Sequence, residues 1–285
     1  MTRAASDSDA PNTSSRDAQY ALVGGLYAAS VLTPVAVLGV STWISDAALL
    51  YVGFLAVWVA FTTLFGWLVS RTEGVAVRIG RRDAAWVLAA VPFVVFIGAF
   101  VGLAVGTPMP PVAVPLAMIT MITGFLFGFP LVVMSQNRHA DFAVRDATEF
   151  ARWEARWPLR WRRLAVGSMV VGIASAVVAV VAQLGLGADW ATPFYLLAFL
   201  WTPLAQATTP RTVRVTDAGL VVERPLIRRF RPWEAFEAVS LSDDALVVHP
   251  TAWWRPSLRF DRDDIEDVDA AVTALERGLA PTSGR

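Results

Sequence analysis

Residues 84–137 read AAWVLAAVPFVVFIGAFVGLAVGTPMPPVAVPLAMITMITGFLFGFPLVVMSQN, and no side chain in that stretch is ionisable. A helix needs about 20 apolar residues to cross the hydrocarbon core of a bilayer. The stretch therefore reads as two spans, Ala84–Gly106 and Val112–Met134, joined by the short turn Thr107–Pro111. Outward from it, four more apolar segments predict spans at Tyr20–Val40, Ala47–Val69, Leu164–Leu184 and Trp190–Ala207. The last is the shortest: Thr192-Pro193 suits a helix start, and Pro203 would kink or end it.

The whole chain agrees with that membrane class. Of 285 residues 55% are hydrophobic and 17% charged, where soluble domains carry about a quarter charged. All 24 basic residues are arginine, and no cysteine occurs. Without lysine there is no retinal or PLP Schiff base and no complete P-loop. Without cysteine there are no disulfides, thiolate nucleophiles, Cys-based zinc sites or iron–sulfur clusters. The formal net charge is zero, so bulk charge points to no nucleic-acid partner. Residues 1–19 are polar and aperiodic, which predicts a disordered tail leading into a membrane anchor.

Arginine placement orients the spans. Ser45-Asp46, Gly106–Pro111 and Gly185–Ala191 contain none. The alternate connections carry Arg71, Arg78, Arg81 and Arg82, then Arg138, Arg145, Arg152, Arg156, Arg160, Arg162 and Arg163. By the positive-inside rule this predicts both termini in the cytoplasm of a multi-pass cell-membrane protein.

Because the spans hold no charge, a proton relay, coupled pump or voltage sensor is disfavoured. They carry small residues at helical spacing instead: Gly98, Gly102 and Gly106; Gly124 and Gly128; Ser168, Gly172 and Ala176. Such stripes let helices approach closely in lipid. Packing of the third span on the fourth is the preferred reading, with homo-oligomerisation through Gly98, Gly102 and Gly106 the other. Thr33, Thr62, Thr63, Thr120, Thr123 and Ser175 are expected to bond to carbonyls one turn back.

In the loop 135–163, Phe150, Trp153, Trp157 and Trp161 recur three or four residues apart among arginines. That spacing predicts an interfacial helix over about 142–157, with Trp153, Trp157 and Trp161 as the membrane anchor. His139 and His249 are the two histidines, and neither has metal-ligand spacing.

From residue 211 the pattern alternates. Strands are predicted at 212–216, 220–225, 228–233, 236–242, 245–250 and 257–262, followed by an amphipathic helix with Ile265, Val268, Val272, Leu275 and Leu279 on one face. The fold class is thus a six-helix membrane bundle, residues 20–207, plus a small cytoplasmic β domain, 211–280, with one capping helix. Val215-Thr216-Asp217-Ala218-Gly219-Leu220, Trp233-Glu234 and the terminal helix from Asp263 resemble the pleckstrin-homology-like domains at the ends of bacterial and archaeal membrane proteins. All-arginine usage, with sixteen Asp against eight Glu, is similar to haloarchaeal proteins. The resemblance implies a docking module, with Arg228, Arg229 and Arg231 at the hairpin where eukaryotic relatives hold phosphoinositide headgroups. A solvated arginine face is the competing reading.

No paired carboxylates, His cluster or Ser–His arrangement lies in the spans, so no enzyme and no cofactor is expected. The leading expectation is a scaffold or sensor whose partners are membrane lipids or a cytoplasmic protein. The alternative is a carrier or pore for a neutral or lipidic molecule.

Overall fold

The computed structural model describes residues 13–82, 85–186 and 208–280. The chain forms two compact units, Met1–Phe142 and Ala143–Arg285. Five helices are long and apolar enough to cross a membrane: Asp17–Val40, Ala47–Arg71, Trp86–Leu103, Ala113–Ala143 and Leu159–Gly185. The sixth expected span, Trp190–Ala207, lies outside the described residues.

The first unit contains α1 (Thr13–Val40), α2 (Ala47–Arg71), a short α3 (Val75–Arg81), α4 (Trp86–Ala104) and α5 (Ala113–Ala143). Helix α1 starts at Thr13, so residues 13–19, expected in the tail, belong to the first helix. Asp17 there pairs with Arg138 at 2.8 Å. Asp46 caps α2 by accepting from the Leu49 amide at 3.0 Å. Helix α2 has no fully buried residue, so much of its apolar surface is left uncovered by the rest of the chain.

Helices α1 and α2 form a tight hairpin because Gly25 meets Gly66. A Cβ on Gly25 would collide with the Thr62 carbonyl and lie 2.9 Å from the Gly66 nitrogen. We expect Gly25→Leu to cost about 1–3 kcal/mol through overpacking. The loss is read as a lower melting temperature in detergent, with Gly39→Leu, where nothing lies within 4 Å, as the neutral comparison.

The third span does pack on the fourth, but not through its own glycines. Gly124 on α5 faces Pro92 of α4, and Gly128 faces Tyr27 and the Leu88 carbonyl. The Tyr27 hydroxyl donates to that carbonyl at 2.6 Å. Gly98 and Gly106 have nothing within 4 Å, and Gly102 touches Met109. The close approach therefore uses the N-terminal half of α4, where Leu88 and Pro92 stand. Of the span hydroxyls, Thr63, Thr120 and Thr123 donate to carbonyls four residues back. Thr33 and Thr62 have buried hydroxyls without a partner among the described residues. Ser135 donates to the Leu131 carbonyl at 2.7 Å, and so accepts from Tyr20 at 2.8 Å.

The second unit is a β sandwich interrupted by a membrane-length helix. Its elements are β1 (Glu149–Ala155), α6 (Leu159–Leu186), β2 (Arg211–Thr216), β3 (Gly219–Glu223), β4 (Arg228–Pro232), β5 (Phe236–Leu241), β6 (Ala245–Pro250), β7 (Leu258–Asp261) and α7 (Val268–Leu279). One antiparallel sheet has the order β1-β2-β3-β4 and the other β5-β6-β7. Val213, Val215, Leu220, Leu246, Val248 and Phe260 fill the space between them, and Leu275 of α7 joins that core. Asp267 caps α7 by accepting from the Ala270 amide at 2.9 Å. Asp263 and Asp264, expected in the helix, form a separate 3₁₀ turn before it.

The expected interfacial helix over 142–157 is corrected by β1. Trp153 pairs with Val213 and Ala155 with Arg211, so this segment is an edge strand of the β domain. Ala151, Trp153 and Ala155 face the core while Arg152 and Glu154 face outward. Two of the three inward positions are alanine, which hides the period of two. A register shift between Glu149 and Ala151 turns Phe150 inward as well, and that irregularity creates the helix-like spacing from Phe150 to Trp153. The β domain therefore begins before the fifth apolar helix and resumes after it, rather than starting at residue 211.

Candidate anion-binding site

Inward positions of the four-stranded sheet are apolar along β2 and β3 except at Arg211, the first residue of β2, and arginine along the edge strand β4. Arg211 has the same strand parity as Val213 and Val215. On β4, Arg229 stands opposite Val222 and Arg231 opposite Leu220, so both point to the inner face. Arg224 joins them from the β3–β4 turn, which is closed by the Arg224 amide donating to the Ile227 carbonyl at 2.9 Å. These four arginines, with Trp157, Leu258 and Ser257, line a cavity of about 110 Å³.

The site is electrostatically costly as it stands. Arg211 is only 3% exposed. Burial, reinforced by the Arg224 and Arg229 charges, pushes its guanidinium well below the ordinary arginine range, down to about 9. Burial with the Arg224 and Arg231 charges takes Arg229 down to about 10. Arg224, by burial and the Arg231 charge, and Arg231, by burial, move the same way. Arg211 Nε, Arg231 Nη1 and Trp157 Nε1 are buried donors without a hydrogen-bond partner among the described residues. Arginine keeps its proton in proteins, so the favourable response to such a field is an anion, not deprotonation. Oxyanions present several acceptors to planar guanidinium forks, which suits this donor set.

Arginines elsewhere in the same unit are held differently. Arg214 bonds Glu149 at 2.7 Å and Glu223 at 3.1 Å, and those partners raise its pKa despite some burial. Arg156 bonds both oxygens of Asp264. Two further pairs tie the first turn of α6 to the sandwich, Arg160–Asp244 at 3.0 Å and Arg162–Asp261 at 2.8 Å.

The expected triad divides at β4. Arg229 and Arg231 line the cavity, whereas Arg228 faces outward and lies 3.9 Å from Glu223. Arg211 and Arg224 escaped the sequence reading. The available signal for Arg211 was parity: in Arg211-Thr212-Val213-Arg214-Val215, the first residue falls on the apolar side. Arg224 carried no such signal, because its position depends on the turn.

The expected Trp anchor also divides. Trp153 packs edge-on against Phe260 at 6.4 Å and belongs to the core. Trp157 lies under the Arg211 guanidinium at 4.9 Å, forming the floor of the cation cluster. Trp161, in the first turn of α6, meets Trp157 edge-to-face at 5.8 Å. His249 Nε2 is hydrogen-bonded to Ser240 at 2.8 Å across the strands, and among the described residues no group of three His, Cys, Asp or Glu side chains could hold a metal. Compared with known protein families, curated proteins and solved structures, the chain has no significant match.

Proposed function

We propose that this chain is a six-span membrane scaffold or sensor whose cytoplasmic, pleckstrin-homology-like domain docks a phosphate-bearing anion through Arg211, Arg224, Arg229 and Arg231. The observation that carries the reading is the cavity that buries these guanidinium groups beside unsatisfied donors. Two sheets of four and three antiparallel strands with a final helix support the domain assignment. The pairing of β1 with β2 supports six spans: both ends of the intervening chain meet in one sheet, so an even number of crossings separates them, and α6 supplies one. The arginine-free connections support the cytoplasmic placement.

Phosphate titrated against chloride at constant ionic strength should raise the melting temperature of the purified full chain, because a ligand of the folded state stabilises it by about 2.7 kcal/mol at a hundred times its Kd. Arg229→Gln with Arg231→Gln should weaken that response by about tenfold per guanidinium, the usual worth of a charge-assisted hydrogen bond. Arg228→Gln should leave it intact. An equal loss from Arg228→Gln would mean a diffuse surface field and would remove the cavity from the reading.

A further inference from the structure

We propose that the turn 251–257, through Trp253 and Trp254, together with Leu226 of the neighbouring turn, inserts into the interfacial layer of an anionic bilayer and seats the arginine cavity on it. This rests on the reading of that cavity as a phosphate site and of α6 as a membrane span. Trp253 is 94% exposed, Trp254 60% and Leu226 68%. Indoles with so much surface in water are poorly placed in a domain whose Val213, Val215, Leu220, Leu246, Val248 and Phe260 form a closed core.

These side chains border the cation cluster. Arg224 and Ile227, on either side of Leu226, line the arginine cavity. Ser257 lines it too, and also lines a shallower hollow of about 410 Å³ beside Trp253 and Arg255. The Arg255 guanidinium lies 4.9 Å over the Trp254 ring. Glu237 is the acidic residue in the two linings. An apolar rim around concentrated positive charge matches the two layers of an anionic membrane surface, acyl boundary and phosphate.

The tether selects the bilayer over other occupants. Trp157, a wall of the arginine cavity, precedes the start of α6 by two residues. Helix α6 carries Arg160, Arg162 and Arg163 within its first five residues and is free of charged residues from Leu164 onward. The cavity is thus built against the end of the helix where the headgroup layer begins, and pairs such as Arg162–Asp261 hold the domain to that end.

The chain has no cysteine, so Trp253→Cys, Leu226→Cys and Thr273→Cys each give one labelling site. Full-length protein carrying an environment-sensitive fluorophore is placed, one copy per nanodisc, in anionic or zwitterionic phospholipid containing nitroxide-labelled lipid. Blue-shifted emission and several-fold stronger quenching at 253 and 226 than at 273, in anionic discs, is the expected result. Labels at 253 and 226 as water-exposed and unquenched as the one at 273 would overturn insertion. So would protection that requires two copies per disc, which would assign the rim to a second copy, or a soluble protein. Quenching equal in zwitterionic discs would overturn the anionic requirement. Phosphate stabilisation, measured on the same samples, is scored separately. If it persists while the 253 label stays in water, the insertion proposal fails and the cavity reading stands; if it is absent while the label is quenched, the cavity reading fails.

Discussion

A chain of residues 208–280 alone should fail to fold cooperatively, whereas residues 145–156 joined through Asn-Gly to 210–280 should give a soluble, cooperatively melting domain. Ala155 pairs with Arg211 at the end of the β1–β2 ladder, so a two-residue turn of the type favoured in hairpins can replace the whole intervening segment. Removing β1 takes Phe150, Ala151, Trp153 and Ala155 from the core and uncovers the backbone of β2. Loss of one large buried aromatic costs about 3–5 kcal/mol, against a total stability of about 5–15 kcal/mol for a domain. Circular dichroism melts and amide dispersion in NMR spectra of the two chains decide it. If 208–280 alone melts as sharply and as high as the joined chain, β1 is peripheral.

The second large effect concerns the junction between α6 and the sandwich. Arg162→Ala should lower stability by about 3 kcal/mol, because it strands the Asp261 carboxylate without its cation at a buried position. Arg160→Ala should change stability by less than about 1 kcal/mol, since its pair with Asp244 is solvent-exposed. Thermal melts of the full chain in detergent compare the two directly. Arg162→Ala together with Asp261→Ala should recover part of the loss, a coupling that two independent surface charges would not show. Equal melting of Arg162→Ala and the parent chain would mean that the pair does not fasten the helix to the β domain.

The site was half legible in advance, and the reason lies in geometry. Arg229 and Arg231 announced themselves as a cluster in sequence, but so did Arg228, which the pleat of β4 turns outward toward Glu223. Arg211 and Arg224 come from elements that meet β4 only after the sheet has formed. Trp157 is separated from Arg211 by the whole interrupting segment, so their contact has no trace in local spacing.

The long apolar helices and the amphipathic stripe of α7 follow from the sequence alone, because both depend on local periodicity and on hydropathy summed over many neighbours. So does the helix boundary near Asp46, where one side chain satisfies one amide. The identity of residues 149–155 does not. A short segment with aromatics three apart and alanines between them is compatible with helix or strand, and the deciding energy is supplied by a partner far along the chain. Only the tertiary structure could join β1 to β2, because the ladder and the core contacts that make β1 a strand exist only once residues 211–216 lie beside it. The same pairing brings Trp157 beneath Arg211 and gathers four arginines around one cavity. Long apolar helices followed by a β domain were written in local sequence; a β domain interrupted by one of those helices, with its cations turned inward, required long-range packing.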